Sequence, residues 1–119
     1  MNNDRFIFRV WDEKRKLYVL PGDLSIDCDG QLWENCTPID NSDNHLFIEQ
    51  CTGLKDKNGK LIFEGDVLLF NGSRNPVYFD DGSFVILHSG SVFIPIKQKY
   101  TDVFEIIGNI HEMESENEQ

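Results

Sequence analysis

The chain has 119 residues, 39% of them hydrophobic and 12% aromatic, and carries a formal net charge of −10 from 21 acids against 11 bases. The apolar and aromatic shares exclude a disordered chain, and no stretch approaches the roughly 18 consecutive apolar residues that a membrane-spanning helix needs. The charge disfavours nucleic acid, because a phosphate backbone is repelled unless the few bases gather on one face.

The length is that of one domain, able to bury roughly 65% of its unfolded surface around a core. The expected plan is a single β-rich domain over residues 1–111 and an acidic tail over 112–119 that frays. The first residues, Met1-Asn2-Asn3-Asp4-Arg5, are polar and lack a signal-peptide core, so a cytoplasmic protein is expected. Cys28, Cys36 and Cys51 form an odd set without a C-x-x-C pair, so reduced thiols are expected.

In chain order, Arg5–Trp11 alternates apolar and polar residues as a half-buried strand does. Asp12–Lys16 reads as a polar turn, and Leu17–Leu20 returns as a second strand that Pro21-Gly22 stops. Ser25–Cys28 and Gln31–Glu34 are candidate strands around the Asp29-Gly30 turn. Thr37-Pro38 and Asp40–Asn44 read as loop, and His45–Cys51 as strand. Asn58-Gly59 is the strongest hairpin signal, leading into Leu61–Phe63. Glu64-Gly65-Asp66 interrupts as a turn or bulge before a strand at Val67–Phe70. Asn71–Pro76 reads as loop, and Val77–Phe79 and Phe84–Leu87 flank an Asp80–Ser83 turn. Strands at Val92–Ile96 and Val103–Ile110 end the series, with one helical turn expected near Lys97–Asp102. Many short strands broken by Gly and Asp turns predict a mostly β, antiparallel fold.

The residues capable of chemistry do not form a recognisable site. Setting Gly59 at position six of a calcium loop puts Leu54 at position one and Gly65 at twelve, neither of which is a ligand there. The metal-ligating types Cys28, Cys36, Cys51, His45, His88 and His111 lack the close paired spacing of zinc sites. No phosphate-binding or dinucleotide-binding glycine motif occurs, so no cofactor is expected. Cys36 or Cys51 would need a histidine nearby in space to act as a nucleophile; a cysteine among apolar residues is more often a small core hydrophobe. Most of the nine Phe are expected in the core; Trp11 and Trp33 lie near strand ends.

Charge is unevenly spread. From Leu17 to Leu54 there are seven acids and no Lys or Arg, and the tail from Glu112 adds four acids and no base. The bases form two clusters, Lys14-Arg15-Lys16 and Lys55/Lys57/Lys60, each readable as a charged turn.

Four stretches together resemble the YopX-like family of phage and prophage proteins. They are Phe8-Arg9-Val10-Trp11-Asp12, then Cys51–Lys60 running into Ile62–Val67, then Val77–Gly82, and finally Glu105–Ile110. The residues carrying the likeness are Trp11, Asp12, Gly53, Asp56, Asn58, Gly59, Glu64, Gly65, Asp66, Gly108 and Asn109. The resemblance implies a β-rich fold with an SH3-like barrel element, to which the residue reading adds an N-terminal β-hairpin and additional short strands. It implies no catalytic residues, so these positions are expected to be structural. Residues 22–45 match nothing in the family pattern.

The expected function is a non-catalytic protein-binding or assembly module, with a protein partner, self-association as a homo-oligomer, or both. The alternatives are nucleic-acid binding through Arg5, Arg9, Lys14, Arg15, Lys16, Lys55, Lys57 and Lys60, or a small β-barrel enzyme with a convergent polar pocket.

Overall fold

The computed structural model describes residues 4–20, 22–88, 92–97 and 103–112. It is mostly β, with antiparallel pairing in every register that the strands define. The helical turn expected at 97–102 and the acidic tail past 112 lie outside the described residues, wholly or largely. Among the described residues no helix is long and apolar enough to cross a membrane.

The chain divides into two compact units. One is Phe8–Glu49; the other combines Met1–Ile7 with Gln50–Gln119. Each has its own apolar centre, Val10, Leu32 and Leu46 in the first, and Ile62, Leu68, Val77, Ile86, Ile96 and Phe104 in the second.

In the 8–49 unit, β1 (Phe8–Asp12) turns back into β2 (Leu17–Tyr18), pairing Trp11 with Tyr18 and Asp12 with Leu17. The N-terminal hairpin is thus as the sequence predicts. Its first strand starts later, because Asp4–Phe6 forms a 3-10 turn and leaves Phe6 exposed. A small meander follows: β3 (Leu24–Ile26), β4 (Leu32–Glu34) and β5 (Thr37–Pro38). Asn35 and Cys36 both take positive φ between Glu34 and Thr37, the two-residue turn that matches strand twist. The Thr37-Pro38 loop of the sequence reading is therefore an edge strand, a place where proline removes no ladder bond.

The 50–112 region is built on a meander of hairpins. β6 (Leu46–Lys55) begins in the first unit and ends in the second, where it pairs with β7 (Leu61–Phe63). β8 (Asp66–Phe70), β9 (Ser73–Asp80), β10 (Ser83–His88), β11 (Val92–Pro95) and β12 (Glu105–Asn109) make a five-stranded half-barrel sheet in the order β11-β10-β9-β8-β12. That order is compatible with an SH3-like barrel element.

Here the sequence reading needs correction: Asn71–Pro76 is not loop but a turn and the first half of β9. Asn71 and Gly72 both have positive φ and close a two-residue hairpin on Phe70 and Ser73. Counting from that closure, hydrogen-bonded and non-hydrogen-bonded pairs alternate, and Val67 faces Pro76 in a non-bonded pair. Pro76 therefore costs β8 no bond. On its other side the next bonded pair with β10 would need a Pro76 N–H, and the β9–β10 ladder stops one residue earlier, at Ile86 and Val77. A proline tolerated this way looks from sequence like a strand breaker.

Not all the aromatics are core. Phe79 and Phe93 are about half exposed, and Phe47 is exposed as well. Cys51 is fully buried, whereas Cys28 and Cys36 are exposed.

Candidate functional site

The residues that carry the sequence motif are bound up in turns. Asp56 opens the β6–β7 loop with its carboxylate almost wholly buried (6% exposed). Its Oδ1 accepts the Asn58 and Lys60 N–H groups at 2.9 Å each, and its Oδ2 accepts the Ile106 N–H of β12 at 3.1 Å. Burial pushes this carboxyl upward in pKa, but the bonds from Ile106, Lys60 and Asn58 outweigh it, so Asp56 titrates below its ordinary value. Gly59 takes φ +82° while Asn58 stays at negative φ. The loop is thus a three-residue turn ending in a left-handed glycine, not the two-residue turn that Asn-Gly usually makes.

Gly53 sits where β6 slips two residues against β7, at φ +81°. The Thr52 hydroxyl holds that bulge, donating to the Ile62 carbonyl and accepting from the Leu54 N–H. At the next corner, Glu64 N–H donates to the Gln50 carbonyl, and Asp66 Oδ2 accepts the Phe63 N–H at 2.7 Å. Gly65, at φ +89°, donates to Val77 and accepts from Ile110. Gly108 follows the one-residue slip of β12 against β8, and Asn109 caps the helical residues 110–112 by accepting from His111 and Glu112. β12 is the shared partner: the 51–66 and 105–110 motif segments meet there.

Trp11 and Asp12 belong to the 8–49 unit. The Trp11 ring lies edge-on to Tyr18 at 5.0 Å, and its Nε1 donates to Glu13. Asp12 accepts from the Lys14 and Arg15 N–H groups and pairs with the Arg15 guanidinium at 2.7 Å. Burial raises its pKa, and these bonds, Arg15 first, bring it below the ordinary value.

Among the described residues, no three His, Cys, Asp or Glu side chains converge as a metal would require. His88 Nδ1 meets Asn75 Oδ1 at 3.1 Å, and His45 lies against Asp43. Asn75 is fully buried and donates to the Leu68 and Ser73 carbonyls.

The electrostatics of the 8–49 unit are the distinctive feature. It holds nine acids and four bases, hence −5. Every base is ion-paired: Arg9 with Glu49, Lys14 with Asp43, Arg15 with Asp12, and Lys16 with Glu13. The Glu49 pair is the most enclosed, with Tyr18 donating to the same carboxylate and the Arg9 guanidinium 4.6 Å above the Tyr18 ring. Lys14 and then His45 hold the Asp43 carboxyl well below the usual range. Five acids remain without an ion pair among the described residues: Asp23, Asp27, Asp29, Glu34 and Asp40. Asp27 and Asp40 are held by hydrogen bonds. Asp27 accepts from Trp33 Nε1 and from the Gln31 and Asp29 N–H groups, and Asp40 accepts from Ser42; each carboxyl is lowered in pKa by those donors. Asp23, Asp29 and Glu34 are exposed. Of the seven acids in the run that the sequence displayed, Asp43 and Glu49 are thus compensated, and the other five have no ion pair among the described residues. What the sequence could not give is that Lys14 reaches Asp43 of this run, while Arg15 and Lys16 pair with Asp12 and Glu13.

The family model described as YopX protein matches residues 7–115. Protein EF1440 from Enterococcus faecalis shares the fold at a TM-score of 0.59 with 29% identity, over 88% of this chain and 92% of that one. Protein yopX from Bacillus subtilis superposes at a TM-score of 0.57 with 21% identity, over 88% and 90% of the two chains. No curated protein matches the chain. The breadth of the family match, together with the motif positions that build the turns around β12, makes this chain a member of the YopX protein family.

Proposed function

We propose that this chain is a non-catalytic, phage- or prophage-encoded binding module of the bacterial cytoplasm whose 8–49 unit recruits a basic segment of a protein partner. The observation that carries the reading is the charge accounting of the unit: four bases engaged on four acids, and five acids without an ion pair among the described residues. Such a field raises the encounter rate with cationic partners and repels anionic ones. The same ion pairs disfavour nucleic-acid binding, because Arg9, Lys14, Arg15, Lys16 and also Lys57, which pairs with Glu105, have their charge neutralised locally.

Fluorescence anisotropy with a labelled arginine-rich peptide and with a labelled DNA duplex tests this directly. The peptide binds at low salt and weakens as salt rises, and the duplex does not bind. Binding of the duplex with a steep salt slope would overturn the reading.

Self-association is a second reading, favoured by one feature of the 50–112 region. Tyr78 and Phe93 lie edge to face at 6.5 Å and are both exposed. Light scattering at low and high salt separates a dimer from a monomer.

A further inference from the structure

We infer that a groove beside β2 and β4 in the 8–49 unit docks an extended segment of a partner protein carrying an aliphatic side chain flanked by arginine or lysine. The inference rests on the reading of the acidic unit above and narrows it to one place. The groove has a volume of about 430 Å³ and is lined by Leu17, Val19 and Leu20 along one stretch, with Arg15, Asp23 and Glu34 among its polar residues. Its apolar part is presented outward: Leu20 is 72% exposed and Leu17 is 42% exposed. Two leucines exposed in one concavity, with charges beside them, make the apolar centre and polar rim expected of a recognition site.

The charges decide the kind of partner. The Arg15 guanidinium is already held by Asp12 at 2.7 Å, so its charge is answered from within the unit. Asp23 and Glu34 have no ion pair among the described residues. The groove therefore combines an aliphatic surface with two unanswered carboxylates. A hydrophilic polycation would satisfy the carboxylates and leave Leu20 in water; an apolar peptide would do the reverse. A segment with an aliphatic anchor between basic side chains satisfies both. The geometry is held in advance, because Glu34 ends β4 at the tight Asn35-Cys36 turn and is paired across it with Thr37. A rigid site loses less entropy on binding.

The test is a titration of the full 15N-labelled chain with a short peptide of alternating arginine and leucine, followed by amide shifts. An arginine-only peptide and spermidine serve as comparisons. The shifts are expected to concentrate at Leu17–Leu20, Asp23, Glu34 and Asn35. D23N/E34Q together are expected to weaken the alternating peptide by about threefold to tenfold, in line with two partly exposed charge pairs. L20N, at a position exposed enough not to affect folding, is expected to weaken it by about threefold or more while leaving the arginine-only peptide unchanged. Equal affinity for the arginine-only peptide or spermidine, with shifts spread over Asp27, Asp29 and Asp40, would overturn the groove and leave the acidic-unit reading standing. Failure of all cationic probes to bind would overturn both.

Discussion

Removing the Asp56 carboxylate takes away the acceptor for three backbone N–H groups at once: Asn58 and Lys60 within the β6–β7 loop, and Ile106 in β12, fifty residues on in sequence. A hydrogen bond to a charged acceptor contributes about 1.5–3 kcal/mol, but the loop N–H groups can turn to water when the acceptor goes. Only the Ile106 bond ties distant segments together, so D56A should destabilise the chain by about 3 kcal/mol, not by the sum of three full bonds. For a domain of this size that is roughly 12 °C in Tm. D56N keeps one carbonyl oxygen for the loop and turns an amide N–H toward the Ile106 N–H, so its loss should be about 2 kcal/mol. Urea unfolding followed by tryptophan fluorescence, with a thermal melt beside it, measures both. A loss below about 1 kcal/mol for D56A would refute the view that this side chain ties the loop to β12. The sign with pH follows from the same contacts. The folded-state pKa is depressed below the ordinary value of 3.8, so the stabilisation is fully present above that value. It is lost as pH falls from about 4 through the folded pKa, and D56A should show a flatter acid limb than the wild type.

Other outcomes can be read from single sites. G65A forces a residue with a Cβ to φ +89° between its bonds to Val77 and Ile110, and should cost about 1–2 kcal/mol in chemical unfolding. I62A, at a fully buried position in the second core, should cost about 2–5 kcal/mol, against about 0.5–1.5 for I62V. N75A removes the buried side-chain amide that joins the Leu68 and Ser73 carbonyls to His88 Nδ1, a loss of about 1–3 kcal/mol that differential scanning calorimetry would register.

How much of this was legible in the sequence depended on whether the signal was local. The Asp80–Ser83 hairpin was readable because Asp81-Gly82 supplies two positive-φ residues in the pattern such a turn requires. The β3–β4 pair was readable for a related reason. Asp27 and Asp56 begin the same loop: in each, Oδ1 accepts the N–H groups two and four residues on, and a left-handed glycine stands at the fourth position. The two loops share an Asp-x-(Asp or Asn)-Gly spelling, 29 residues apart in the sequence. β9 was hidden because Pro76 signals a break unless the alternation of bonded pairs on both its sides is known. The division into two cores is a matter of which distant residues pack, and nothing local records it. The acid run was visible in the sequence, but the pairing of Lys14 with Asp43 needs the chain to bring residue 43 back to residue 14.

Affinity for a labelled arginine–leucine peptide, compared across the wild type, D23N/D29N/E34Q and D80N/D81N, tests the central claim most directly. The three acids of the first variant are exposed and lie in the 8–49 unit, whereas Asp80 and Asp81 are exposed in the 50–112 region. The account predicts that the first variant loses most of the binding and the second keeps it. Equal losses in proportion to charge removed, or no loss in either, would contradict it.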